Sequence, residues 1–216
     1  MRPDWRIPYA IAAAALLTGL ALGMHTLYVA TKPLLMVILL LHFVTSTRAW
    51  PAWRYLVIAA LVFSWAGDIF LISADWFVAG LSSFLIAHVF YIAAYQKTGA
   101  SGEKPQPLEV LLFAIFGAGL LWFIYPGLND LKIPVFLYAL VLLGMGVWAF
   151  RRRRGTNRAS FRLVATGAVL FVISDSLIAV NRFTHAIPAE RILVMSIYLT
   201  AQYLIVQGLI QHGEQA

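Results

Sequence analysis

The chain divides into eight apolar stretches joined by short polar loops, a pattern that no soluble fold accommodates. The stretches cover residues 8–29, 33–47, 54–73, 77–95, 108–126, 131–150, 161–180 and 191–210. A helix crosses the hydrocarbon of a bilayer in about 20 apolar residues. The second stretch, PLLMVILLLHFVTST, is short and stands between Lys32 on one side and Arg48 and Trp50 on the other, so a tilted or partly re-entrant span is expected there. Of 216 residues, 62% are hydrophobic and 12% charged, half the charged share of an ordinary soluble domain. One soluble core of this size cannot hide so much apolar surface, so lipid must cover the remainder. The expected fold is all-α: a polytopic membrane helical bundle of about eight transmembrane helices, a single domain over residues 1–216. The first stretch is too long for the apolar region of a signal peptide and no cleavage site follows it, which makes it a retained span.

Charge orients the bundle. The formal net charge is +7, which in a soluble protein would point to nucleic acid. Here the basic residues sit in short loops, and no nucleic-acid partner is expected. With eight spans and the N-terminus inside, the cytoplasmic segments hold Arg2, Arg6, Arg48, Arg54, Lys97, Lys104, Arg151, Arg152, Arg153, Arg154, Arg158 and Arg162. The outer segments hold only Lys32, Lys132, Arg182 and Arg191. Lysine and arginine accumulate on the cytoplasmic side, so this twelve-to-four bias predicts both termini in the cytoplasm. Removing the short second span would reverse every later loop and destroy the bias. The Arg151–Arg154 cluster reads as a topology anchor and a contact for anionic lipid. The segment AGDIFLI echoes ISDSLIA in a later span running the same way, the signature of a weak internal parallel repeat, on a match too short to carry an argument alone.

Ionisable groups within a bilayer are costly and mark function. Three lie within spans and away from their ends: Asp68, His88 and Asp175. Polar neighbours surround them, among them Ser64, Tyr91, Ser174, Ser176, Asn181, Tyr198 and Gln202. At about 1.5 Å rise per residue, the predicted span directions put the two aspartates in the outer half at a common depth, with His88 near mid-membrane. Lys32 opens the second span at the outer interface. His88 and Tyr91 are three apart and share a helix face, as do Ser64 and Asp68 at a spacing of four. A structural network of interhelical hydrogen bonds is the plain alternative for any one of these residues. Two aspartates at one depth with a histidine nearby favour a site. The absence of cysteine removes disulfides, thiolate nucleophiles and Cys-based metal sites.

The motifs TKPLLM (31–36), AGDIFLI (66–72), FLIAHVFYIAAY (84–95), GAVLFVISDSLIAVNRF (167–183) and MSIYLTAQYLI (195–205) resemble, in order and spacing, those of the YhhN-like lysoplasmalogenase family of membrane proteins. The long GAVLFVISDSLIAVNRF stretch is the most specific, while spans 1, 5 and 6 match only in hydropathy. The resemblance implies an eight-span enzyme of lipid metabolism, an ether hydrolase. It would cleave the vinyl-ether bond of a lysophospholipid, the lysoplasmalogen, with water, releasing a fatty aldehyde and a glycerophospho-base. No cofactor is implied. The family's motif positions fall here on Lys32, Asp68, His88, Tyr91, Asp175, Ser176, Asn181, Tyr198 and Gln202. The expected location is a bacterial inner membrane.

The chemistry agrees with these residues. A vinyl ether resists nucleophiles but accepts a proton at its β-carbon, giving an oxocarbenium ion that water captures. Two carboxyl groups can supply the acid and the anion, as in glycosidases, which pass through a similar state. Asp68 and Asp175 are therefore the expected acid and base, in an order the sequence leaves open. His88 would orient a carboxylate or relay a proton. Tyr198 and Gln202 would position water or the leaving oxygen, and Lys32 would hold the lipid phosphate. Two aspartates and a histidine could also bind a divalent ion, but no HExxH or Asp-rich spacing is present, and no metal is assigned. The alternative function is a proton-coupled transporter or channel using the same Asp and His residues as a relay. Against it, no pair of spans shows the Gly/Pro breaks of discontinuous transport helices. A retinal-type photoreceptor is excluded because no lysine lies in mid-span.

Overall fold

In the computed structural model, residues 4–46, 50–100, 102 and 104–214 are described; Arg2 and Arg48, two of the expected cytoplasmic charges, lie outside them. Eight α-helices account for most of these residues: α1 (Arg6–Ala21), α2 (His25–Ser46), α3 (Ala52–Phe70), α4 (Phe77–Thr98), α5 (Pro107–Ile124), α6 (Lys132–Arg151), α7 (Arg158–Phe183) and α8 (Glu190–Gly213). Among the described residues there is no strand. Short connections make successive helices antiparallel neighbours. Local chemistry sets several starts. Gln106 and Glu109 form a reciprocal capping box at α5, with Pro107 at the first helical position, and the Asn157 side chain accepts from the Ser160 N–H at α7. Both satisfy amides that a helix start leaves without partners.

Seven helices, α2 to α8, are long and apolar enough to cross a membrane. The outward faces of α5 and α6 confirm what surrounds them: Trp122 is 81% exposed, and Leu111, Leu112, Ile115, Ile133 and Leu140 also face outward. A continuous apolar surface of this kind is stable only under lipid. The chain is an integral membrane protein.

The first two helices differ from the expected limits, 8–29 and 33–47. The break falls at Leu22–Met24, where Gly23 takes a φ of +68°, a left-handed conformation that a residue without Cβ adopts freely. The chain is helical again from His25 and runs through Pro33. Proline is favoured at the start of a helix, which makes Lys32–Pro33 look like a boundary; here Pro33 sits in a helix interior, the position at which proline kinks a helix. So α2, expected to be short, has 22 residues, and α1 has only 16. At about 1.5 Å per residue α1 is roughly 24 Å long, less than the roughly 30 Å of hydrocarbon. The other six helices end within three residues of their expected limits.

The closest packing is of α3 on α4 and of α7 on α8, with α6 against both α4 and α7. Gly167 allows the α7–α8 approach: a Cβ there would stand 2.8 Å from the Ala201 carbonyl oxygen and 3.0 Å from the Ile205 nitrogen. Contacts between backbones leave nothing to rotate away. Gly167→Val should therefore destabilise the bundle by about 1–3 kcal/mol, the usual range for overpacking, visible as a lower unfolding midpoint in detergent micelles.

Candidate active site

A cavity of about 270 Å³ opens between α2, α3, α4, α6, α7 and α8 at the end that carries the α3–α4 and α7–α8 connections. Both aspartates line it. Asp68 lies in the last turn of α3 and Asp175 two turns before the end of α7, so helices running the same way bring them to one chamber.

Each carboxylate has its own partners. Asp68 is 2% exposed. Its Oδ2 accepts a hydrogen bond from the Tyr198 hydroxyl at 2.8 Å, and the Lys32 ammonium stands 3.9 Å from Oδ1. Lys32 is itself only 4% exposed. It was expected at the outer interface, but the early start of α2 places it two turns inside that helix, against Asp68. Asp175 accepts from the Tyr138 hydroxyl. His88 Nε2 lies 3.1 Å from the same hydroxyl and 3.6 Å from Asp175 Oδ2. Phe171 presses edge-on against both His88 and Tyr198, and Phe84 meets Tyr198 in the same way. Phe171 thus packs between the two polar clusters, and with Phe84 it forms an aromatic floor beneath them.

Behind the floor lies a second layer. Tyr91 donates to Gln202 Oε1 at 2.7 Å, and Gln202 Nε2 donates to Ser64 Oγ at 3.1 Å and to the Tyr198 hydroxyl at 3.4 Å. Gln202 thus joins α3, α4 and α8 and orients the phenol that holds Asp68. Of the expected site residues, Lys32, Asp68, Asp175, Asn181 and Tyr198 line the cavity. His88, Tyr91 and Gln202 are fully buried behind it. Ser176 donates to the Val172 carbonyl of its own helix and is absent from the lining. Asn181 accepts from the Ile187 amide, which ties down the α7–α8 connection at the mouth.

Tyr138 was missed. It sits in a span that carries no ionisable group away from its ends, and a tyrosine in an apolar run carries no signal of its own. Among the described residues, no group of three His, Asp or Glu is placed to hold a metal ion.

The sequence model of the YhhN family matches residues 27–209. The chain belongs to the YhhN family. Over 165 residues it is 32% identical to a protein named lysoplasmalogenase TMEM86A of Bos taurus, and the match covers 73% of this chain and 66% of that one. Over 200 residues it is 31% identical to a protein named lysoplasmalogenase of Mycobacterium tuberculosis, covering 89% of this chain and 72% of the relative. The aligned part is thus just under two thirds of the length of the mammalian relative. No solved structure matches the chain. The matched YhhN region begins at residue 27, just inside α2, so it contains both carboxylate clusters and leaves out α1 entirely.

Gln202→Leu should strand the Tyr91 hydroxyl and Ser64 in an apolar interior and lower stability by about 1–3 kcal/mol. Tyr91→Phe should cost less, because Gln202 keeps its other two contacts. Unfolding midpoints of the two purified variants check the order.

Proposed function

We propose that this YhhN-family protein is a membrane-embedded hydrolase that cleaves the vinyl-ether bond of a lysoplasmalogen, giving a fatty aldehyde and a glycerophospho-base. The observation that carries this reading is the pair of carboxylates lining one cavity, each held by a tyrosine hydroxyl. The names of the mammalian and mycobacterial relatives support the substrate class.

The partners suggest how the roles divide. Asp175 has a phenol and an imidazole beside it and, among the described residues, no lysine or arginine in ion-pair contact. It donates a proton to the β-carbon of the vinyl ether, and positive charge develops on the carbon bound to oxygen. Asp68, opposite the Lys32 ammonium, supplies the anion. It accepts a proton from water as that water attacks the cationic carbon, and a hemiacetal forms. The C–O bond to glycerol then breaks. Asp68 returns its proton to the departing oxygen, and Asp175 takes the proton of the hemiacetal hydroxyl, so both carboxyl groups are restored and one water is consumed. Tyr138 and Tyr198 fix the two carboxylates, and His88 moves protons to and from Asp175 through their shared contact. Lys32 belongs to this acid–base machinery.

The same reading places the cavity mouth on the outer side of a bacterial inner membrane with both termini in the cytoplasm, following the charge bias. At the opposite end Arg151 and Arg152 are buried, while Arg153 and Arg154 are exposed, so these two are the proposed contacts for anionic lipid.

Purified protein should release aldehyde from a lysoplasmalogen and leave an ester lysolipid intact. Asp68→Asn and Asp175→Asn should each lower turnover per folded molecule by about 10²–10⁴-fold, the usual loss for an acid or base. Near-native turnover in both variants would overturn the two-carboxylate mechanism. Solute flux in proteoliposomes with no lipid turnover would instead identify a transporter.

A further inference from the structure

Four basic residues were expected on the outer side, where lysine and arginine are otherwise depleted. Three of them, Lys32, Arg182 and Arg191, line the cavity; Lys132 lies over the Tyr125 ring instead. Lys32 is engaged with Asp68. Arg182 and Arg191 are exposed at the mouth.

Helix periodicity relates both arginines to the chemistry. Arg182 follows Asp175 by seven residues on α7, and Arg191 precedes Tyr198, the partner of Asp68, by seven residues on α8. Seven residues are two turns of one helix face, a rise of about 10 Å. Each carboxylate cluster therefore has a guanidinium two turns nearer the mouth. The Arg182 guanidinium is seated 3.7 Å over the Phe77 ring, which fixes it at the rim. Glu190, half-buried next to Arg191, lines both this cavity and a second one of about 440 Å³ under the α1–α2 turn. Among the described residues, none of these three side chains makes a hydrogen bond or ion pair with another side chain.

From this placement we infer that Arg182 and Arg191 grip the phosphate of the lipid head group while Glu190 faces its ammonium, so that the rim selects a zwitterionic phospho-head group. The inference rests on the substrate class proposed above. In such a lipid five bonds separate the ether oxygen from phosphorus, roughly 6 Å when extended, and an arginine side chain spans the rest of the two-turn rise. Two guanidinium forks suit the non-bridging oxygens of a phosphodiester. A carboxylate beside them would repel a purely anionic head group and attract an amine.

The test uses saturated ethers, which bind without being cleaved. Binding of 1-O-alkyl-lysophosphoethanolamine, 1-O-alkyl-lysophosphoglycerol and uncharged 1-O-alkylglycerol is measured on the full-length protein in micelles. Arg182→Gln and Arg191→Gln should each weaken the phosphoethanolamine lipid by about 10- to 100-fold, the effect of losing a charge-assisted hydrogen bond, while the uncharged lipid shifts far less. Arg191→Lys should recover part of the loss, and Glu190→Gln should narrow the preference for phosphoethanolamine over phosphoglycerol. Equal weakening of charged and uncharged lipids, no weakening at all, or no binding by the native protein would overturn the inference. If the arginine dependence holds while no vinyl ether is hydrolysed, the catalytic reading fails and the head-group site stands.

Discussion

A carboxylate buried in a helical bundle must find its partners in the protein, and the arrangement around Asp68, only 2% exposed, follows from that constraint. Its charge is met by the Lys32 ammonium, and its other oxygen by the Tyr198 hydroxyl. Those partners come from α2 and α8, so a single residue on α3 ties three helices together. Tyr198 is held in turn by Gln202, and Gln202 by Ser64 and Tyr91. Breaking such a buried network at one member leaves the others without partners in a medium of low dielectric constant. The polar residues that make the chamber reactive are therefore also what orders the helices around it.

Asp175 is treated differently. Its neighbours, Tyr138 and His88, can carry a proton. Two carboxyl groups in one chamber with unlike partners are what acid–base chemistry needs, since one must donate while the other accepts. The opposite end of the bundle handles charge by another route. Arg152 is fully buried, with hydrogen bonds to Thr98 Oγ1 and Ser160 Oγ and the Tyr95 ring nearby. Arg151 reaches the Ala100 carbonyl. Arginines there join the ends of α4, α6 and α7, whereas Arg182 and Arg191 at the chamber mouth are exposed.

Much of the fold was legible because lipid imposes a simple rule on sequence: a crossing helix needs a long apolar run, and little else stands between runs. Asp68, His88 and Asp175 were legible for the converse reason, since a charged group in such a run is conspicuous. Tyr138 was not, because tyrosine is at home in an apolar helix and its hydroxyl matters only once Asp175 and His88 are beside it. The depth of Lys32 was misread because proline marks helix starts more often than helix interiors. The actual break, at Gly23, looks in sequence like one more glycine in an apolar stretch.

By itself, then, the sequence determined that this chain is an all-helical membrane protein and which of its spans carry buried charge. Both follow from the price of polar groups in hydrocarbon, which is paid residue by residue and so can be read residue by residue. Tertiary structure alone decided that Lys32 pairs with Asp68, that Tyr138 and His88 attend Asp175, and that Arg182 and Arg191 line the same cavity as both carboxylates. Those relations depend on how helices far apart in sequence rotate and pack, and packing is set by contacts such as Gly167 against Ala201 and Ile205 that no single span contains.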